Sequence, residues 1–135
     1  MSLRRAAPIA CGVAMCGAAG LVWAFDPAAP NSHFPPCTFR AMTGLWCPGC
    51  GLTRGFHQLF HGHVLSAMGE NLFVAVALVA AVVGWWSWTR SAWGRPAISL
   101  PVAWRRPLAV VLPVALVAYG VLRNIPHAPF DALAP

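Results

Sequence analysis

Three of the five cysteines fall within fourteen residues: Cys37, then Cys47-Pro48-Gly49-Cys50. Three chemistries suit that spacing. In the first, two of the three form a bridge that pins the surrounding loop, since thiols outside the cytoplasm tend to oxidise. The third sulfur is then left over, and the sequence does not choose among Cys37–Cys47, Cys37–Cys50 and Cys47–Cys50. In the second, Cys47 and Cys50 are a thiol-disulfide redox pair with Cys37 as a relaying thiol. A Cys-x-x-Cys at a helix start places one sulfur by free backbone N–H groups and the positive dipole end, which favours thiolate. In the third, the stretch is one zinc knuckle. A tetrahedral ion takes four ligands, and Cys37, Cys47 and Cys50 supply three, with His33 in the preceding loop as the freer fourth. Cys11 and Cys16 lie in an apolar run, where cysteine packs as a small hydrophobe.

Cys50, Arg54, His57 and His61 follow at steps of four, three and four, which places them on one helical face. Arg54 and His57 are the binding candidates on that face. A cation in the first helical turn opposes the helix dipole, so Arg54 calls for an anion: a thiolate, Glu70, a lipid phosphate or a ligand carboxylate. His57 lies about 10 Å along the axis from the helix start, too far to share an ion with the cysteines. His61 and His63 read as a polar face turned to water or headgroups. Glu70 reads as a cap, with Asn71, on the helix that follows.

The elements that hold these residues are apolar. The chain of 135 residues is 59% hydrophobic and 9% charged, against about a quarter charged in soluble domains. Three uncharged runs, 8–25, 72–88 and 108–122, approach bilayer-spanning length. Trp85, Trp86, Trp88 and Trp93 gather at the end of the second, as tryptophan does at membrane interfaces. The third is short and contains Pro113, which predicts a kink or tilt. Residues 26–51 form a Cys-rich loop whose first part carries four prolines. In 52–63 Leu52, Phe56, Leu59, Phe60 and His63 recur with helical period, which predicts a short amphipathic helix at the interface with Gly62 as its stop. Residues 89–107 are a basic linker interrupted by Pro96 and Pro101, and 123–135 a tail. The fold predicted is an all-α integral membrane protein in one domain, with three transmembrane helices and an interfacial helix after a Cys-rich loop. The first run also fits a signal peptide by its basic flank, but no small-x-small site follows it, so an uncleaved helix is expected.

The net charge of +6 comes from nine arginines, with no lysine, against three acids. The arginines sit at the ends of apolar runs instead of on one soluble face, a pattern of topology signals that argues against nucleic acid as a partner. With three crossings, Arg4 and Arg5 share a side with Arg90, Arg95, Arg105 and Arg106, and Arg40, Arg54 and Arg123 lie opposite. Six against three predicts a cytoplasmic N-terminus and linker, with the cysteine loop outside the cytoplasm.

Over Cys37, Thr43-Gly44, Cys47-Pro48-Gly49-Cys50-Gly51-Leu52-Thr53-Arg54, His61-Gly62 and Asn71 before an apolar helix, the chain resembles a bacterial membrane-protein family known as domain of unknown function 2752. Arg123-Asn124 is a weaker echo of it. The chain departs where that family would have proline at Thr38, alanine at Gly55 and proline after Asn71. The resemblance implies a small helical protein of the bacterial cell membrane with this Cys-rich segment, and identifies no substrate. Two functions are therefore carried forward: a non-catalytic membrane component whose loop docks a partner, such as another membrane protein, and a membrane thiol redox protein. A zinc-binding loop is the third.

Overall fold

The computed structural model describes residues 3–128 and 130–133; part of the tail, at 129, 134 and 135, lies outside the described residues. In chain order the elements are α1 (Leu3–Ala24), α2 (Thr38–Thr43), α3 (Leu52–Phe60), α4 (Val64–Glu70), α5 (Val74–Ala92) and α6 (Val102–Leu122), then a 3-10 turn at Phe130–Leu133. No strand occurs among the described residues. By length and composition α1, α5 and α6 can cross a membrane, each reaching about 30 Å at 1.5 Å per residue. The protein is all-helical with three candidate spans, as the apolar runs predict.

The element ends differ from those expected. α1 starts at Leu3, before Pro8, and α5 continues to Ala92, which brings Arg90 into its last turn, where a cation complements the helix dipole. α6 begins at Val102 and takes in Pro107 as well as Pro113; each proline forfeits one helical hydrogen bond, a loss that spanning helices tolerate. α2 and α4 lie in segments not expected to be helical. Pro35 and Pro36 lead into α2, and Gly44 ends it at φ 74. The amphipathic helix closes at Phe60, with Gly62 in the left-handed region at φ 82 just beyond.

α1 packs against α5 at Gly12, where a Cβ would fall 2.7 Å from the Trp85 ring, and the Trp85 indole N–H donates to the Pro8 carbonyl at 2.9 Å. Gly17 and Gly20, equally small, face open space. α3 lies under the end of α1: His57 Nδ1 is 2.7 Å from the Val22 carbonyl, and Trp23 stacks on His61. α3 and α4 meet where a Cβ on Gly55 would come 3.1 Å from the Ala67 carbonyl. α6 touches the rest chiefly at its last turn, with the Pro48 ring against Gly120. Along its length Val110, Val114, Val117 and Val121 are exposed, which is stable in lipid because apolar faces gain nothing there by leaving solvent. Apart from Pro8, the fully buried side chains Arg123, Val74 and Asn71 lie at the cysteine-bearing end. That end is the interior of the molecule.

Candidate metal centre

The loop after α1 brings Cys37 to the N-cap of α2, and the turn Cys47–Cys50 immediately precedes α3. This turn is closed by the Cys50 N–H donating to the Cys47 carbonyl at 3.1 Å and the Leu52 N–H donating to that of Gly49 at 3.0 Å. Gly51 at φ 80 then sets the entry to α3, a conformation that residues with a Cβ rarely adopt. The result places Cys47 Sγ 2.9 Å from Cys50 Sγ and 3.4 Å from Cys37 Sγ, with all three sulfurs within 4.8 Å of one another.

All five cysteines are free thiols. The bridge expected between two of the three is not formed, since a disulfide holds its sulfurs at about 2.05 Å. For direct attack by Cys37 on a Cys47–Cys50 bridge, the three sulfurs should approach a line, because the leaving sulfur departs opposite the incoming one. With these separations the angle at Cys47 is no wider than about a right angle. A triangle of sulfurs is instead the base of a tetrahedron. Three thiolates at about 2.3 Å from a zinc ion stand about 3.8 Å apart, so the cluster closes on such an ion with sulfur shifts of roughly 1 Å or less.

The protons are unevenly held. The Cys37 thiol is lowered to about 7, chiefly by the Arg40 amide in the first turn of α2, then by Cys50 and Cys47; that amide faces the sulfur without closing a cap hydrogen bond. Burial first, and then the two neighbouring sulfurs, push Cys50 up to about 12. One thiolate forms readily here, and its charge opposes formation of the others. A cation at the centre removes that opposition.

The turn that carries the sulfurs is held through its carbonyls by three side chains. Asn71, fully buried, donates to Pro48 at 2.9 Å and Cys50 at 3.0 Å, and its Oδ1 accepts from the Phe73 N–H at the start of α5. Arg123, just past α6 and only 2% exposed, donates to Cys50 at 2.9 Å and Cys47 at 3.3 Å. Asn124 pairs in both directions with the Trp46 backbone at 2.8 Å. Arg123 Nε has no acceptor, and neither Asp26 nor Glu70 forms an ion pair with this cation. A buried charge costs several kcal/mol unless its donors and charge find partners.

Of the expected site residues, Cys37, Cys47 and Cys50 come together. His33 does not join them: it lies against Phe25, ring centroids 5.6 Å apart, and is not one of the clustered ligands. His57 is held at the end of α1, its other ring contact being His61 at 4.4 Å. Arg54 takes Glu70 as its anion, Nε to Oε2 at 3.6 Å, so Glu70 is an ion-pair partner, and the cap expected of it with Asn71 is not formed: α5 has no side-chain cap, and Asn71 Oδ1 accepts from the Phe73 N–H just before the helix. Asn71 enters the sequence reading as a helix cap and a family echo, Arg123 as a family echo and a topology signal, and Asn124 as a family echo, none with a role at the site. Beside the cluster opens a cleft of about 550 Å³, walled by Cys37, Cys50, Arg40, Arg54 and the loop after α1.

Fold and site together define a class, an all-helical protein with three apolar spans and a three-thiol cluster at one end. Residues 37–85 match the model of a family described as "Protein of unknown function (DUF2752)". That match runs from the first clustered cysteine into α5, the stretch that carries the resemblance in sequence. No curated protein and no solved structure matches the chain.

Proposed function

We propose that this protein is a metal-binding component of a bacterial cell membrane, in which Cys37, Cys47 and Cys50 hold one thiophilic divalent cation of the zinc class. The ion ties the loop after α1 to the start of α3, and Arg123 clamps the same turn from the end of α6. The locked loop is the surface that the protein offers to a partner, such as another membrane protein. Water or a donor from outside the chain fills the fourth position. The observation that carries this reading is the triangle of sulfurs on a turn whose Cys47 and Cys50 carbonyls accept from a buried arginine. Three thiolates on a divalent ion carry a net charge of −1, which that arginine neutralises.

The test is metal content and thiol state of the full chain extracted in detergent. Expected are about one zinc per chain and three thiols protected from alkylation until chelator is added. Cobalt substitution should give the sulfur-to-cobalt charge-transfer bands of a tetrahedral thiolate site. Cys37→Ser, Cys47→Ser and Cys50→Ser each lower affinity at least a hundredfold, while Cys11→Ala and Cys16→Ala leave it unchanged. A metal-free chain with two of the three cysteines disulfide-bonded would overturn the proposal in favour of the bridged loop. Mixed disulfides trapped on Cys47→Ala or Cys50→Ala would overturn it in favour of redox exchange.

A further inference from the structure

We infer that the cleft beside the sulfur cluster is a phosphate-binding site, and that its position assigns it the phosphate of a lipid headgroup. The cleft, about 550 Å³, falls within the range of small-ligand sites. Arg40 and Arg54 both line it, and no acidic residue does. Each guanidinium has unused donors. The Arg40 guanidinium carbon sits over the Trp46 ring, 3.1 Å from its centroid, a cation–π contact that holds the group in place without using its N–H donors. Arg54 is held through Nε alone, by a contact to Glu70 of 3.6 Å, longer than the 2.7–2.9 Å of a charge-assisted hydrogen bond. Two cations with donors to spare, one of them only loosely paired with Glu70, on a cleft that no acidic residue lines suit an oxyanion.

The place of the cleft chooses the source. α1 ends at Ala24, and the cleft wall begins at Pro27 and Ala28, within a few residues of the end of a membrane-spanning helix. Its other wall carries Arg54, in the first turn of the amphipathic helix α3. Both walls lie at headgroup level, where phosphate is concentrated and the basic side chains reach it without entering hydrocarbon. This inference rests on the arginines and the cleft, and stands whether or not the sulfurs hold a metal.

The test uses the full chain in a phosphate-free detergent, titrated with dihexanoyl phosphatidic acid or with inorganic phosphate and read by native mass spectrometry. One lipid bound per chain, at least tenfold weaker in Arg40→Gln and in Arg54→Gln, is the result expected. Preference for the lipid over inorganic phosphate supports the headgroup; equal affinity supports the phosphate site with the free anion as occupant. Arg106→Gln removes the same charge from the other end of the helices and leaves binding unchanged. An equal loss in Arg106→Gln, or no loss in either cleft variant, overturns the site. Circular dichroism and elution volume of each variant separate lost binding from lost folding.

Discussion

Arg123 joins the third span to the sulfur-bearing turn. Removing an arginine from water costs several kcal/mol, which is recovered only if its donors and its charge find partners. Its donors find the Cys47 and Cys50 carbonyls, and its face lies 4.9 Å from the Tyr119 ring. Arg123→Met fills the space but leaves both carbonyls without that donor, so a loss of about 2–4 kcal/mol is expected. Thermal unfolding in detergent should fall accordingly, and Cys47 and Cys50 should alkylate faster. Arg54→Gln is the contrast. Its pair is partly exposed and long, and such pairs contribute at most about 1 kcal/mol. If the two variants unfold alike, the buried cation is not what holds the turn. The sequence makes the convergence of Cys37, Cys47 and Cys50 legible, because three cysteines within fourteen residues are drawn together by one short loop. It does not reveal the clamp: Arg123 lies 73 positions from Cys50, and Asn124 lies 78 from Trp46. No local period or spacing connects residues so far apart.

At the level of elements, α6 matters for where it ends. Its last turn approaches the Cys47–Cys50 turn so closely that a Cβ at Gly120 would stand 2.8 Å from Pro48 Cγ. The proline ring is stiff, and its turn is fixed by Asn71, so Gly120 has little room for a side chain. Gly120→Val should push the end of α6 away and break the Arg123 and Asn124 contacts together, costing about 1–3 kcal/mol of overpacking and weakening metal binding at least tenfold. Gly17→Val, in α1 with open space around it, should do neither. Unchanged cobalt binding in Gly120→Val would mean that the α6 contact does not support the cluster. The long elements were legible because an uncharged run of spanning length has few other stable states. α2 and α4, six and seven residues long, are too short to show a period. α6 starts six residues before its uncharged run because it takes in Arg105 and Arg106, which end the apolar stretch without ending the helix, and Pro107, which a spanning helix accommodates.

For the whole molecule, the ends of the spans decide which side the cluster faces. α1 ends, α5 begins and α6 ends at the cluster, as His57 to Val22, Asn71 to Phe73 and Arg123 to Cys50 record. The opposite ends carry Arg4, Arg5, Arg90, Arg95, Arg105 and Arg106. On the cluster side, Arg123 is buried and Arg54 is paired with Glu70, so the excess of free positive charge lies at the opposite ends. Retention of arginine on the cytoplasmic side then predicts that the cluster lies outside. In intact cells, a membrane-impermeant maleimide should label Cys37, Cys47 and Cys50 of the Cys11→Ala, Cys16→Ala variant once a chelator strips the metal. Because α6 ends beside the cluster, a reporter fused after residue 135 should lie on that same outer side. The two readouts separate two errors. If both report the inside, the arginine argument is wrong and the fold stands; if they disagree, the chain does not cross three times.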